Sequence, residues 1–202
     1  MADVVSSSRR LRRASGRALL VALCLLASPA HAGSLEGVTL PDEVTVNGRS
    51  LVLNGLGVRE ATVLMVNVYV AGLYVEEKSA DPEAILRDDR AKRLVMRFVR
   101  SVGKENLAAA WTEGFDKNAG DKRAALAADL AKLNATMVDV KKEDVLSLTY
   151  VPGSGVTVSV KGKDAAVVPG SDFQRVLFSI WLGADPPNVA LREGLLGSGS
   201  KR

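Results

Sequence analysis

The chain is almost devoid of cysteine and histidine, the side chains that form disulfides, bind zinc most often and supply or activate nucleophiles near neutral pH. It contains one cysteine, Cys24, and one histidine, His31, among its 202 residues. Both lie in the first 32 residues, a segment that we predict is removed. The remaining protein would have no disulfide, no zinc site of cysteine and histidine, and no Ser-His or Cys-His pair. Acid-base chemistry near pH 7 would then require a strongly perturbed carboxylate, lysine or tyrosine.

Residues 1–32 have the three parts of a cleavable signal peptide. Five arginines precede the apolar run of residues 18–27, and Ala30 and Ala32 are the small residues that a signal peptidase requires. An apolar run of this length is too short for a permanent membrane anchor, which needs roughly 20 residues. The sequence therefore predicts export by the general secretory route and a periplasmic location.

Removal of this segment changes the charge of the protein. The segment takes five arginines and one aspartate from a total of 27 basic and 23 acidic residues, which leaves 22 of each. The high isoelectric point of the whole chain is therefore no evidence for nucleic-acid binding.

Residues 33–196 are long enough to form one stable domain, and the Gly/Ser/Lys-rich tail at 197–202 is predicted to be disordered.

Hydrophobic patterning predicts an α+β domain, in which an antiparallel β-sheet is covered by helices. Asn47-Gly48 predicts a hairpin turn, Gly55-Leu56-Gly57 a further turn, and residues 58–76, apolar on both alternating faces, one central strand. The other predicted elements are a short helix capped by Asp81, a strand from Arg93 to Arg100, two helices around Trp111 and Leu130, strands at 145–151, 156–160 and 165–168, a helix opened by a capping box of Ser171 and Gln174, and a last helix after Asp185.

Three segments of the chain have a recognisable order and spacing. They are Leu53-Asn54-Gly55-Leu56-Gly57-Val58-Arg59, Val68-Tyr69-Val70-Ala71-Gly72-Leu73-Tyr74, and Asp172-Phe173 with Ile180-Trp181-Leu182-Gly183. Together they resemble the exported bacterial chalcone isomerase-like domain. The resemblance implies the chalcone isomerase fold, an antiparallel sheet with helices packed on it and an apolar cleft between them. Plant members of that superfamily either close a chalcone ring to a flavanone or bind fatty acids without catalysis, and the fold does not choose between these functions.

The resemblance implies a role for Arg59. This residue stands in the Gly-x-Arg context where the family keeps the arginine that holds an enolate in isomerases or a carboxylate in fatty-acid binders. Other catalytic positions of the isomerases are changed. Tyr69 takes the place of a threonine and Asn106 that of a tyrosine, while Glu113 replaces an asparagine and Ile180 a threonine or serine. The loss of several polar groups argues against chalcone cyclisation.

Four residues are candidates for ligand binding. Arg59 offers a planar fork of donors suited to a carboxylate, although it could instead pair with a neighbouring acid. Asn67 and Tyr69 share its parity, so an unbroken strand would direct all three side chains to one face. Because ten residues of straight strand cover roughly 33 Å, Arg59 and Tyr69 can share a ligand only if the chain bends near residues 61–65. Asn106 is the fourth candidate. No catalytic residue, metal or cofactor is predicted.

For four aromatic side chains, packing is the simplest role. Tyr74 and Trp111 are predicted as packing residues, and Trp181 lies on the apolar stripe of its helix. Tyr69 is itself most simply an amphipathic core residue whose hydroxyl is satisfied.

These observations predict a periplasmic protein that binds a small amphipathic carboxylate such as a fatty acid. Arg59 would pair with the acidic head and the apolar cleft would hold the tail. One alternative is an isomerase or intramolecular lyase without a cofactor, in which Arg59 stabilises the enolate of an enone-like substrate and a tyrosine hydroxyl assists. Another is a cell-envelope interaction protein whose inherited cleft is filled by side chains.

Overall fold

The computed structural model describes residues 32–61 and 66–198. The predicted signal peptide, except for its last residue, lies outside this part of the chain, as do residues 199–202 of the predicted tail. The first two residues of that tail close the last helix, where the amide of Ser198 donates to the carbonyl of Glu193 at 3.0 Å. Within the described ranges no helix is both long and apolar enough to cross a membrane.

Seven antiparallel strands form one sheet, in which neighbours in space are also neighbours in the chain. These strands are β3 (Glu43–Val46), β4 (Arg49–Ala61), β5 (Val66–Val75), β6 (Lys92–Phe98), β7 (Val145–Val151), β8 (Gly155–Val160) and β9 (Lys163–Val168). A separate hairpin precedes them, made of β1 (Ala32–Leu35) and β2 (Val38–Pro41). The helices are α1 (Pro82–Arg87), α2 (Lys104–Asn118), α3 (Ala127–Ala135), α4 (Ser171–Leu182) and α5 (Val189–Leu195). The predicted α+β class is confirmed.

The sheet is covered on both faces, because alternate residues of its central strands belong to two different cores. In β5, Leu73 and Val75 belong to the larger core that the helices complete. Val70 and Tyr74 face the other way and pack in a smaller core with residues of the β1–β2 hairpin. The Tyr74 hydroxyl donates to the carbonyl of Pro41 at 2.8 Å and fastens that hairpin to the sheet.

The prediction of one strand over residues 58–76 is wrong. Two strands, β4 and β5, share this range and pair antiparallel, with Val58 opposite Val70 and Arg59 opposite Tyr69. Both strands are central and have a core on each face, so their apolar residues do not alternate with polar ones. Residues 62–65 are Thr-Val-Leu-Met, without the glycine, proline or asparagine that marks most turns.

The prediction of a turn at Gly55-Leu56-Gly57 is also wrong, because these residues lie inside β4. Their missing side chains allow α5 to approach the strand. A Cβ atom on Gly55 would lie 2.8 Å from the carbonyl oxygen of Leu195, and one on Gly57 would lie 2.9 Å from Cδ1 of Leu191. The glycines therefore serve close packing between a helix and a strand.

Most of the turns and helix starts predicted from the sequence are present in the structure. Asn47 and Gly48 have φ values of 47° and 75°, as a tight hairpin turn requires. The helices and the other strands are confirmed. The predicted capping box is wrong, because Ser171 is the first residue of α4, Gly170 stands at the N-cap, and no side chain caps this helix. Gln174, the predicted partner in the box, is buried.

Candidate functional site

A cleft of about 460 Å³ lies between the sheet and helices α2 and α4. This volume is within the range of small-molecule sites, roughly 300–1,000 Å³. Its apolar wall includes Met96, Phe98, Leu107, Trp111, Ile180 and Trp181. Its polar lining includes Arg59, Tyr69, Asn106, Glu113, Lys117 and Asp185. The cleft therefore combines an apolar interior with charged and hydrogen-bonding groups.

Three of the four predicted ligand-binding residues line this cleft. Arg59 and Tyr69 are direct cross-strand neighbours in β4 and β5, and Asn106 stands in the first turn of α2. Arg59 and Tyr69 meet because the chain reverses between the two strands, whereas a single straight strand would have held them roughly 33 Å apart. The hairpin thus supplies the bend that a shared site requires.

Asn67 is the exception. Glu60 pairs with Asn67 and Arg59 with Tyr69, so Val68 is an extra residue in β5. Such a bulge reverses the alternation of side chains along a strand. Val68 accordingly lines the cleft, while the amide of Asn67 donates to Oε2 of Glu36 at 3.3 Å. Asn67 is not part of the cleft lining.

Arg59 is half-buried and is held by neutral acceptors. Its Nη1 donates to Oδ1 of Asn188 at 3.0 Å and also to the backbone carbonyl of Glu60. Among residues 32–61 and 66–198, no carboxylate oxygen lies within 4.0 Å of its guanidinium nitrogens. Pairing with a neighbouring acid, the simpler hypothesis for this residue, does not occur there. The guanidinium therefore lies beside an apolar wall without a charged partner among the described residues.

Tyr69 presents a neutral hydroxyl beside Arg59. The oxygen accepts a hydrogen bond from Nε1 of Trp181 at 3.0 Å, and the ring packs edge-on against Phe98 with centroids 5.7 Å apart. Burial raises the pKa of Tyr69, and the bond from Trp181 and the charge of Arg59 only partly oppose this. The hydroxyl therefore stays protonated at physiological pH. Since its oxygen accepts from Trp181, its hydrogen is available to an acceptor in the cleft.

The remaining charges of the cleft include a pair on α2. Lys117 donates to Glu113 at 2.6 Å, with the i,i+4 spacing of a helix surface pair. This contact lowers the pKa of Glu113, and Arg59 contributes a smaller part. The Glu113 carboxylate is therefore ionised and engaged by Lys117. Asp185, in the connection between α4 and α5, is exposed.

The sequence places this site in a known family. A family model described as chalcone isomerase-like matches residues 32–197. The chain belongs to the chalcone isomerase-like family. The crystal structure of a fatty-acid binding protein from Arabidopsis thaliana is similar to it, with a TM-score of 0.68 and 16% sequence identity over 82% of this chain and 96% of that chain. At this identity the likeness concerns the fold alone. No curated protein sequence matches the chain significantly.

The positions assigned by counting along the chalcone isomerase-like motifs converge in space. Besides Arg59, Tyr69 and Asn106, the cleft is lined by Glu113 and Ile180, the two further positions that the sequence analysis compared with isomerases. The five positions compared with isomerases therefore share one cavity.

Some residues of the cleft were not predicted as such. Trp111 and Trp181 are buried, as expected for packing residues, but they also line the cleft, with centroids 5.6 Å apart at 65°. Sequence periodicity finds the apolar stripe of a helix and cannot separate a core from a cavity wall. Asn188 was missed because it contacts Arg59 across 129 positions of the chain.

The chemistry available at the site is that of hydrogen bonding and charge. In the part of the chain that the structure describes, no three histidine, cysteine, aspartate or glutamate side chains are placed to share a metal ion. Arg59 and Tyr69 offer donors to a negatively charged oxygen, and the neighbouring wall offers apolar contact. An amphipathic anion matches both features.

Proposed function

We propose that this chain is a periplasmic protein that binds a small amphipathic carboxylate, such as a fatty acid, without converting it. The observation that carries the proposal is the Arg59 guanidinium, which lines an apolar cleft and has no carboxylate within 4.0 Å among the described residues. Charged side chains in such surroundings are normally paired, and a ligand carboxylate would complete the pair with two parallel hydrogen bonds.

Two further features support a binding role. Tyr69 is the cross-strand partner of Arg59 and lines the same cleft, so its hydroxyl hydrogen is a second donor for a ligand head group. The cleft volume of about 460 Å³ suits a ligand with an apolar tail. The Arabidopsis protein with the same fold is a fatty-acid binding protein, which makes fatty acids the first class to test.

Native mass spectrometry of the protein purified from a periplasm tests this proposal. We expect the mass of a chain that begins at Gly33, together with an added mass that denaturation releases. The added mass should be a carboxylate. In Arg59→Ala it should be lost, because the head group loses its charge partner.

Arg49→Ala is the matched control for this experiment. Arg49 belongs to the same strand but pairs with Glu76 at 3.1 Å, outside the cleft. We expect this variant to keep the added mass. Wild-type protein without any adduct, and without binding of added fatty acids, would contradict the proposal.

An intramolecular lyase is a second candidate, favoured by the free hydroxyl hydrogen of Tyr69 next to Arg59. Two donors that line the same cleft can stabilise the oxygen of an enolate. The corresponding assay is the conversion of a chalcone to a flavanone. Turnover by the wild type that disappears in Arg59→Ala would support this candidate, and absence of turnover would remove it. The open cleft speaks against a third hypothesis, an interaction protein with a filled cavity.

A further inference from the structure

Helix α5 is fixed against β4 by backbone contact. The side chains absent at Gly55 and Gly57 leave room for the backbone of α5, and the carbonyl of Gly194 faces the Gly55 position. The side-chain amide of Asn54 donates to the carbonyl of Leu195 at 2.8 Å. Because these contacts involve backbone atoms, α5 has a defined position relative to the strand that carries Arg59, and the backbone of Leu191 against Gly57 extends the contact toward the start of the helix.

Asn188 stands at the N-cap of α5 but does not cap it. An asparagine at this position normally accepts a hydrogen bond from the second or third amide of its own helix. Here the side chain makes no capping bond. Its Oδ1 instead accepts from Nη1 of Arg59 at 3.0 Å and from the backbone amide of Glu60 at 3.1 Å. The β4–β5 register shifts between these two residues.

The bonds to Nη1 leave the other edge of the guanidinium free. An arginine side chain has five N–H donors, of which Nη1 carries two. Both are engaged, one by Asn188 and one by the carbonyl of Glu60. The remaining donors, on Nε and Nη2, form an edge that can hold a carboxylate through two parallel bonds. Because Oδ1 of Asn188 is a neutral acceptor, it anchors the guanidinium of Arg59 without neutralising its positive charge.

We infer that Asn188 is a positioning residue, which holds Nη1 of Arg59 so that the Nε–Nη2 edge faces a ligand carboxylate in the cleft. This inference rests on the proposed function and assigns the selectivity for the carboxylate head group to a contact between α5 and β4. An unanchored arginine would keep its charge and would lose the fixed orientation that favours the ion over a neutral head group.

The test compares dodecanoate with 1-dodecanol, two probes with the same tail and different head groups. Binding to the delipidated mature protein is followed by tryptophan fluorescence, since Trp111 and Trp181, the two tryptophans of the chain, both line the cleft. In Asn188→Ala we expect dodecanoate to bind roughly tenfold more weakly, the usual scale for a hydrogen bond to a charged group. Binding of 1-dodecanol should change less than about twofold.

Asn188→Ser tests positioning without weakening the start of α5. Serine is as favourable at an N-cap as asparagine, and because its side chain is one bond shorter we expect it not to reach Arg59. We expect it to retain the thermal stability of the wild type and to lose dodecanoate binding as Asn188→Ala does. Wild-type affinity for dodecanoate in either variant, or an equal loss for both probes, would overturn the inference.

Arg59→Ala keeps the two proposals distinguishable. If it loses dodecanoate binding while the Asn188 variants do not, the positioning role fails and the proposed function stands. If Arg59→Ala binds dodecanoate like the wild type, or if the wild type binds neither probe, both proposals fail.

Discussion

Two cationic residues that are at least partly shielded from solvent, Arg59 and Lys92, have different surroundings. Arg59 meets neutral acceptors at a cleft, whereas Lys92 is buried beneath α1, with 2% of its surface exposed. Nζ of Lys92 donates to the carbonyls of Ile85 and Asp88, both at 2.6 Å. These carbonyls belong to the end of α1, where a positive charge is favourable. Lys92 thus stabilises a helix terminus, whereas Arg59 lines a cleft without a carboxylate within 4.0 Å among the described residues.

The stability of the protein should depend on Lys92 at alkaline pH. Burial lowers the pKa of Lys92 from 10.5 to about 8. Between these two values the unfolded chain binds more protons than the folded protein, so the free energy of unfolding rises with pH. This contribution of Lys92 raises the free energy of unfolding by up to about 3 kcal/mol. In Lys92→Met the increase should be absent. Urea unfolding of both proteins at pH 7 and pH 10 measures this difference.

Other groups also titrate in this range, so the quantity to compare is the difference between wild type and variant. That difference should grow from pH 7 to pH 10. Lys142→Met, a change at an exposed lysine, controls for the loss of a lysine as such. A difference between wild type and Lys92→Met that stays constant with pH would contradict the assignment.

At the scale of elements, the contact between α5 and β4 depends on the absence of side chains. We expect Gly55→Ala to lower the free energy of unfolding by about 2 kcal/mol or more, since its Cβ would lie 2.8 Å from two backbone atoms, the nitrogen of Gly197 and the oxygen of Leu195. Gly103→Ala is the control, because the nearest atom to its Cβ would be a side-chain oxygen of Glu105 at 3.6 Å. It should cost less than about 1 kcal/mol. Equal losses in urea unfolding would refute the packing argument.

Elements whose signals are local could be predicted from the sequence. Asn47-Gly48 predicts its turn because few residues adopt positive φ readily, and Asp81-Pro82 predicts the start of α1 for a similarly local reason. Residues 62–65, which connect β4 and β5, include no such residue, so the two strands were predicted as one. Gly55 and Gly57 were misread because their partner, α5, is distant in sequence.

The candidate site was predictable in its composition and not in its geometry. The family motifs pointed to Arg59, Tyr69 and Asn106, which all line the cleft. Their proximity depends on the register of two strands, and one extra residue, Val68, was enough to turn Asn67 away. The anchor of Arg59, Asn188, has no signal in its own neighbourhood.

At the scale of the whole molecule, the contacts that form the sheet and those that form the site differ in sequence separation. Each strand from β3 to β9 pairs with the next one along the chain. The contact between α5 and β4 joins Asn54 to Leu195, which are 141 positions apart. The sheet can therefore form from successive local pairings, whereas the anchoring of Arg59 requires both ends of the domain.

This separation in sequence determines when, during synthesis, the contact between Asn188 and Arg59 can first form. A chain grows from its amino end, so the last strand, β9, is made before Asn188. A nascent molecule can complete its sheet while Arg59 still lacks its anchor. On the proposed function, we therefore expect the protein to reach its full affinity for a carboxylate only after its final helix has been synthesised and has docked.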